Sequence, residues 1–241
     1  MTVPQRTEEG RVVSAKFLVE PFTENCYEVY QKKEHVVFGV SPGNSYFRVP
    51  LLTDLLGWLC GEFSVVDVVI PDSPLVHTYV AMGYDPERAE RKARGEINVL
   101  RNRVNRAWQA QGGPRPADGL HMMSDLAANT TYQRLLGHCE QLVSEDGQLR
   151  DTCLAMSRDV LAARSPGYAP TPEQVQRSAR YLIEELPFFL ASVDIFDMSS
   201  SLCFYHQRLP LADLIFSGKC ALRAAPHQGH AIVRPAQPTA P

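Results

Sequence analysis

A chain of 241 residues that is 44% hydrophobic can bury a substantial core, and its length fits one large domain. A formal net charge of -3 excludes a polypeptide that is basic overall, so any contact with nucleic acid must come from a local concentration of Lys and Arg. No stretch reaches the ~18 uninterrupted apolar residues of a bilayer span, and Glu8, Glu9, Glu20 and Glu24 occupy the region where a signal peptide is apolar. A cytoplasmic protein with no membrane association is expected. The six cysteines and seven histidines are dispersed. Cys203/His206 and His227/His230 have ligand-like spacing, but neither pair has a second pair nearby, and no metal site is expected.

Residues 1–34 mix polar and apolar positions. His35 to Val40 then reads as a short buried strand running into Phe38-Gly39-Val40-Ser41-Pro42-Gly43-Asn44-Ser45-Tyr46-Phe47. This stretch contains G-x-S-x-G, the pattern of the α/β-hydrolase nucleophile elbow, although Gly and Ser also recur in ordinary tight loops. Leu51, Leu52, Leu55, Leu56 and Leu59 share one side of a helix, and Phe63 to Ile70 is a β-branched strand closed by Pro71-Asp72. Strand, turn, helix and strand make a βαβ unit of an α/β fold. The serine falls at the carboxyl end of the first strand, where open α/β sheets hold their ligands. Only forty residues precede Ser41, too few for the strands and oxyanion loop that come before a hydrolase elbow.

Asp85 is a candidate N-cap, Pro86 the first helical residue and Glu87 a first-turn acid of a helix spanning about 86–110. Ala89, Ala93, Ile97, Leu100, Val104, Ala107 and Trp108 share one face. Arg88, Arg91, Lys92, Arg103 and Arg106 take the opposite face and one flank, and Arg94 and Arg101 the other flank. Glu87, Glu90 and Glu96 dilute this charge. The helix should stop at Gly112-Gly113-Pro114. Leu126 to Val143 and Leu149 to Arg164 are further amphipathic helices around the loop Ser144 to Gly147. Thr171 caps a helix that Pro187 closes after Leu186. Ser201 to Tyr205 is a strand, and the last dozen residues read as a disordered tail.

Three segments together resemble the cyclodipeptide synthases. Gly39-Val40-Ser41-Pro42-Gly43-Asn44-Ser45-Tyr46-Phe47 is similar to that family's G-[IV]-S-x-x-N-S-Y-F. Tyr181-Leu182-Ile183-Glu184-Glu185-Leu186-Pro187 resembles its Y-x-x-x-E-x-P, and Leu202-Cys203-Phe204-Tyr205-His206 its Tyr-containing strand. The Arg-rich helix, Arg223-Ala224-Ala225 and Val233-Arg234-Pro235 also match, so the resemblance covers about residues 35–235.

The resemblance implies an α/β, Rossmann-like three-layer fold with a mostly parallel central sheet, like the catalytic domain of class I tyrosyl- and tryptophanyl-tRNA synthetases. It implies one catalytic domain over 1–229, with the final strand residues and a Pro/Ala-rich tail in 230–241. The activity implied is transfer of aminoacyl groups from two aminoacyl-tRNAs through aminoacyl- and dipeptidyl-Ser41 esters to a 2,5-diketopiperazine. An aminoacyl ester is already activated, so no ATP and no cofactor are expected, and no H-x-G-H or K-M-S-K-S is present; Asp197-Met198-Ser199-Ser200-Ser201 lacks both lysines. Ser41 is the implied nucleophile. Tyr181 and Glu185, at i and i+4, project from one helix face, where the carboxylate can hold the ammonium of the first aminoacyl group. Tyr205 can hydrogen-bond Ser41 or relay protons. His206 fits packing or orientation better than a base. Asn44 matches the subgroup that pairs this Asn with a Tyr-His dipeptide, and it can equally stabilise its own turn.

Val37, Gly39, Met123, Phe188 and Cys203 correspond to the first aminoacyl pocket and suggest a hydrophobic, bulky amino acid. Arg94, Arg101, Arg103 and Arg106 are the expected tRNA contacts. Arg208 departs from related sequences that carry an acid, and it would alter the second pocket. A monomer is expected, with a dimer as the alternative. Two other readings stand beside this one: a non-catalytic tRNA- or aminoacyl-tRNA-binding protein on the same fold, and a serine hydrolase using the Gly39 to Gly43 turn.

Overall fold

The computed structural model describes residues 5–6, 10–14, 16–111, 119–167 and 169–236. The first thirty-four residues, which show no clear periodicity, supply strands β1 (Gln5–Arg6), β2 (Val12–Val13) and β3 (Phe17–Pro21) and helix α1 (Glu24–Lys32). The Thr23 hydroxyl caps α1 by accepting from the Cys26 N–H at 3.2 Å. The βαβ unit follows as expected, with β4 (His35–Gly39), α2 (Val49–Glu62) and β5 (Val65–Ile70). Helix α3 (Asp72–Ala81) comes next. It packs against two other helices, so its apolar residues do not form the single stripe that announces a helix in sequence.

Helix α4 (Pro86–Gln109) matches its expectation closely. The Asp85 carboxylate accepts from the Arg88 N–H at 3.0 Å, and all seven residues of the apolar stripe are buried. The expected Gly112-Gly113-Pro114 stop lies outside the described residues. A short edge strand, β6 (Leu120–Met122), precedes a correction: the helix expected from Leu126 is a 3-10 turn over Met123–Ala128 followed by α5 (Thr130–Glu145). Asn129 separates them because its side chain accepts from the Tyr132 N–H at 2.9 Å and starts a new helix. The loop Ser144 to Gly147 shrinks to Asp146, which ends α5 and caps α6 (Gly147–Arg164) through the Leu149 N–H at 3.0 Å.

The second correction concerns Pro187. Helix α7 (Pro172–Ile195), opened by a reciprocal Thr171/Gln174 capping box, does not stop at Leu186. It runs through the proline and kinks at Ala191 (φ -159°, ψ 50°). An interior proline costs about 3 kcal/mol, but Phe188, Phe189 and Leu190 beyond it are buried, and each such side chain contributes about 1.5–3 kcal/mol. Burial outweighs the missing hydrogen bond. After α7 come β7 (Ser201–Tyr205), α8 (Pro210–Phe216) and β8 (Gln228–Pro235). The expected boundary at 229 falls inside β8, whose residues through Val233 are buried. The tail expected from residue 230 therefore begins no earlier than the end of this strand; residues 237–241 lie outside the described residues.

The strands form one sheet in the order β1-β2-β3-β8-β7-β4-β5-β6. β8, β7, β4, β5 and β6 run parallel, while β3, β2 and β1 extend the sheet antiparallel. Alternation along the central strands builds a three-layer α/β fold. Val36, Phe38, Val66 and Val68 face the core under α1, α2 and α4, whereas Val37 and Val69 face the core under α5, α7 and α8.

Buried polar groups interrupt the apolar sheet at several strands, and a carboxylate is among them. Asp67 on β5 accepts from His35 Nε2 and from His121 Nε2, each at 2.9 Å. Burial pushes its carboxyl up, but the hydrogen bonds from His121 and His35 outweigh this and hold it below the usual carboxylate range. A depressed carboxylate stabilises the fold above its unfolded pKa, and that stabilisation fades as pH falls through the folded value. Asp67→Ala, which strands the buried His35 imidazole, should cost about 3 kcal/mol or more in urea denaturation at pH 7. The gap to the native chain should narrow as pH falls below the ordinary carboxylate range; a constant gap would show that the Asp67 charge contributes nothing.

Candidate active site

β4 and β7 are adjacent parallel strands whose connections leave in opposite directions, β4 through α2 to β5 and β7 onward to β8. Chain reversal at such a pair opens a crevice beyond their carboxyl ends. Ser41 lies two residues beyond β4, and β7 ends on Tyr205. Ser41 Oγ and Tyr205 Oη lie 2.8 Å apart, within hydrogen-bonding distance.

The crevice is a cavity of about 920 Å³. Ser41, Asn44, Tyr181, Glu185 and Tyr205 all line it, although 164 residues separate the first from the last. The five expected first-pocket residues, Val37, Gly39, Met123, Phe188 and Cys203, line it too. Phe188 reaches it only because α7 continues through Pro187.

The electrostatics are those of a desolvated site. Burial pushes the Glu185 carboxyl up to about 8; a hydrogen-bonding contribution from Tyr181 opposes the shift, and neighbouring Glu184 adds to it. Tyr181 is held well above the ordinary phenol range, chiefly by burial and then by the charge of Glu185. Burial likewise raises Tyr205 to about 12, against the opposing hydrogen bond with Ser41. Both phenols are therefore neutral near pH 7, able to pass a proton without carrying net charge. Glu185 is poised to change charge there.

Asn44 shapes the turn after Ser41. Its Oδ1 accepts from the Tyr46 N–H at 2.9 Å, and its Nδ2 lies 3.4 Å from His206 Nε2. His206 is not among the cavity-lining residues; it stacks on Tyr46 with centroids 4.3 Å apart, and burial lowers its pKa to about 4. A neutral imidazole that contacts Asn44 positions the turn. Ser41 has a phenol and no imidazole as partner, so no Ser-His-Asp relay assembles among the described residues.

The expected tRNA contacts divide. Arg94, Arg101 and Arg106 are exposed on α4, whereas Arg103 is half-buried and donates to the Phe47 carbonyl at 3.4 Å. Arg208 lines the cavity, but its Nε donates to both Asp213 oxygens, at 2.7 and 2.9 Å, which offsets its charge. Sequence reasoning missed Tyr79, Lys92 and Arg164, which also line the cavity. Glu96, read as a dilution of the basic helix, lines it as well and pairs with Arg164 at 3.2 Å. An acid at a helical position beside the apolar stripe was the available signal.

Residues 17–235 match the family described as Cyclodipeptide synthase. The chain is 33% identical over 226 residues to a cyclo(L-leucyl-L-leucyl) synthase of Bacillus subtilis, covering 92% of this chain and 90% of that protein. It is 35% identical over 235 residues to a cyclo(L-tyrosyl-L-tyrosyl) synthase of Mycobacterium tuberculosis, covering 97% and 79%. Among solved structures, a cyclodipeptide synthase from Bacillus thermoamylovorans superposes with a TM-score of 0.85 at 26% identity, over 92% of this chain and 97% of that one. A Mycobacterium tuberculosis protein whose structure relates cyclodipeptide synthetases to type I tRNA synthetases superposes at 0.81 and 33% identity, over 98% and 100%. The fold is Rossmann-like in the sense of that relationship.

A carboxyl raised above its unfolded value stabilises the protein below that value and ceases to do so as pH rises through the folded one. The native chain should therefore lose thermal stability relative to Glu185→Gln between about pH 5 and pH 9. Parallel melting curves for the two proteins across that range would show that Glu185 is not desolvated.

Proposed function

The chain belongs to the cyclodipeptide synthase family, and from that premise we propose that it is an aminoacyltransferase that joins two aminoacyl groups, each delivered on tRNA, into a 2,5-diketopiperazine through Ser41. The observation that carries the choice of Ser41 is its 2.8 Å contact with Tyr205 inside the cavity that Glu185 and Tyr181 also line.

Three transfers account for the product. Ser41 Oγ attacks the ester carbonyl of the first aminoacyl-tRNA; an ester forms on Ser41, and the tRNA 3′-terminal oxygen leaves with a proton. The amine of this aminoacyl group then attacks the second aminoacyl-tRNA, releasing another tRNA and leaving a dipeptidyl ester. Its free amine attacks the ester carbonyl at Ser41, which closes the ring and returns the hydroxyl. Tyr205 is the relay between attacking and leaving oxygens, because a neutral phenol both accepts and donates. Glu185 binds the first ammonium and takes its proton. Burial raises the Glu185 carboxyl above the usual carboxylate range, which makes it a stronger base toward that ammonium than a carboxylate in water. Asn44 with Tyr205-His206 supports reading the chain as a member of the subgroup carrying those residues, with His206 acting through Asn44.

Val37, Met123, Phe188 and Cys203 favour a hydrophobic first amino acid. Arg94, Arg101 and Arg106 supply phosphate neutralisation on α4, and Arg103 divides its role between tRNA and the Ser41 loop. The enzyme is read as a cytoplasmic monomer that draws on charged tRNA and uses neither ATP nor cofactor.

In an expressing host, mass spectrometry of the medium should reveal a diketopiperazine that disappears with Ser41→Ala; unchanged product from that variant would remove Ser41 as nucleophile. Replacing Arg101 and Arg106 by Ala should weaken tRNA binding and lower the slope of log affinity against log salt by about one for each phosphate no longer neutralised. A salt dependence equal to that of the native chain would move the tRNA surface off α4.

A further inference from the structure

The second glycine of the G-x-S-x-G stretch leads to a cluster that the transfer chemistry does not use. Gly43 has φ +73°, and a Cβ added there would lie 2.9 Å from Arg164 Nη2 and 3.1 Å from Glu96 Oε2. Three helices converge on this point. From the last turn of α6, Arg164 Nη2 donates to the Pro42 carbonyl at 3.1 Å and to Glu96 Oε2 at 3.2 Å, while Nη1 donates to Glu96 Oε1 at 3.2 Å. Glu96 belongs to α4. The Tyr79 hydroxyl of α3 donates to Glu96 Oε1 at 2.5 Å, and the Arg164 guanidinium carbon lies 5.7 Å from the Tyr79 ring centroid. Tyr79 is buried, and Arg164 and Glu96 keep only 21% and 29% of their side-chain surface exposed.

The carbonyl that Arg164 holds is that of the residue immediately after Ser41. A planar fork with Glu96 on one side and a backbone carbonyl on the other fixes the guanidinium in direction as well as distance. The same loop is held on its far side by Asn44 and by Arg103 on Phe47, so the turn carrying the nucleophile is fastened at both ends.

Building on the proposed role of Ser41, we infer that Arg164 is a positioning residue for the nucleophile turn, held in its working orientation by Glu96 and Tyr79. Its action is on the placement of Ser41 Oγ relative to Tyr205. A misplacement of about 1 Å in an active site slows the reaction on the order of a hundredfold, so the effect falls on the rate of acylation and not on substrate affinity.

In single-turnover experiments with aminoacyl-tRNA, Arg164→Met should form the aminoacyl-Ser41 ester about 10- to 100-fold more slowly at saturation, with the KM for aminoacyl-tRNA unchanged. Arg164→Lys should recover little, because an ammonium cannot reproduce the fork. Glu96→Gln, which keeps an acceptor, should fall in between. Hydrogen exchange of the peptide spanning residues 41–48 should accelerate in Arg164→Met, in step with the slowed acylation. Native acylation together with native exchange overturns the inference, as does a raised KM with native acylation at saturation, which would make Arg164 a substrate contact. If the native chain forms no ester on Ser41, the nucleophile assignment fails, and loop exchange alone then decides whether Arg164 holds the turn. Should Arg164→Met not fold, Tyr79→Phe and Glu96→Gln give the same readouts with one hydrogen bond altered in each.

Discussion

The carboxyl ends of β4 and β7 are neighbours by register, with Phe38 opposite Phe204, and the chain leaves them toward opposite edges of the sheet. Everything in the site depends on that divergence. Ser41, two residues past β4, and Tyr205, the last residue of β7, meet across the crevice. The parallel ladder fixes the end of β7 that carries Tyr205, and the turn after β4 brings the Ser41 hydroxyl to it.

Helix α7 supplies the opposite wall, and its unusual features serve that placement. Tyr181 and Glu185 lie one turn apart on it, followed by a proline and then by apolar residues that reach into the cavity. Packing against β7 and β8 on one side and α3, α5 and α6 on others keeps the segment helical past Pro187, so one element delivers both a carboxylate and an apolar wall. Desolvation has a chemical consequence. A carboxyl in water is ionised far below neutral pH, whereas burial raises that of Glu185 to about 8. The same burial raises Tyr205 and Tyr181 and keeps both phenols neutral near pH 7.

The polar groups around Ser41 sit in layers. Tyr205 touches Ser41 directly, Asn44 and its neighbour His206 shape the turn behind it, and the Arg164, Glu96 and Tyr79 cluster grips the carbonyl beside it. Glu96 lies on the same helix as the exposed arginines. The helix that presents cations to solvent therefore also reaches the Ser41 turn through Glu96.

Local patterns carried a good deal of this. The βαβ unit, the capped amphipathic helix α4 with its seven buried residues and the strand Ser201–Tyr205 were legible, because each rests on spacing within one element, and Ser41, Tyr181, Glu185 and Tyr205, singled out by short motifs, line one cavity. The helices around Asn129 and Pro187 were misjudged at their boundaries, since a side-chain cap and the burial of Phe188 and Phe189 compete with periodicity and propensity. Helix α3, strands β1 to β3 and the register of β8 were not visible, because their apolar residues answer to partners far away in the chain. The order of amino acids sets the chemistry on offer: a serine on a glycine turn, two phenols, one carboxyl and a basic helix. Folding selects which of these meet, how far Glu185 is desolvated, and that Arg164 and Glu96 close on Gly43. Distances and dielectric are properties of packing between elements, and no local pattern encodes them.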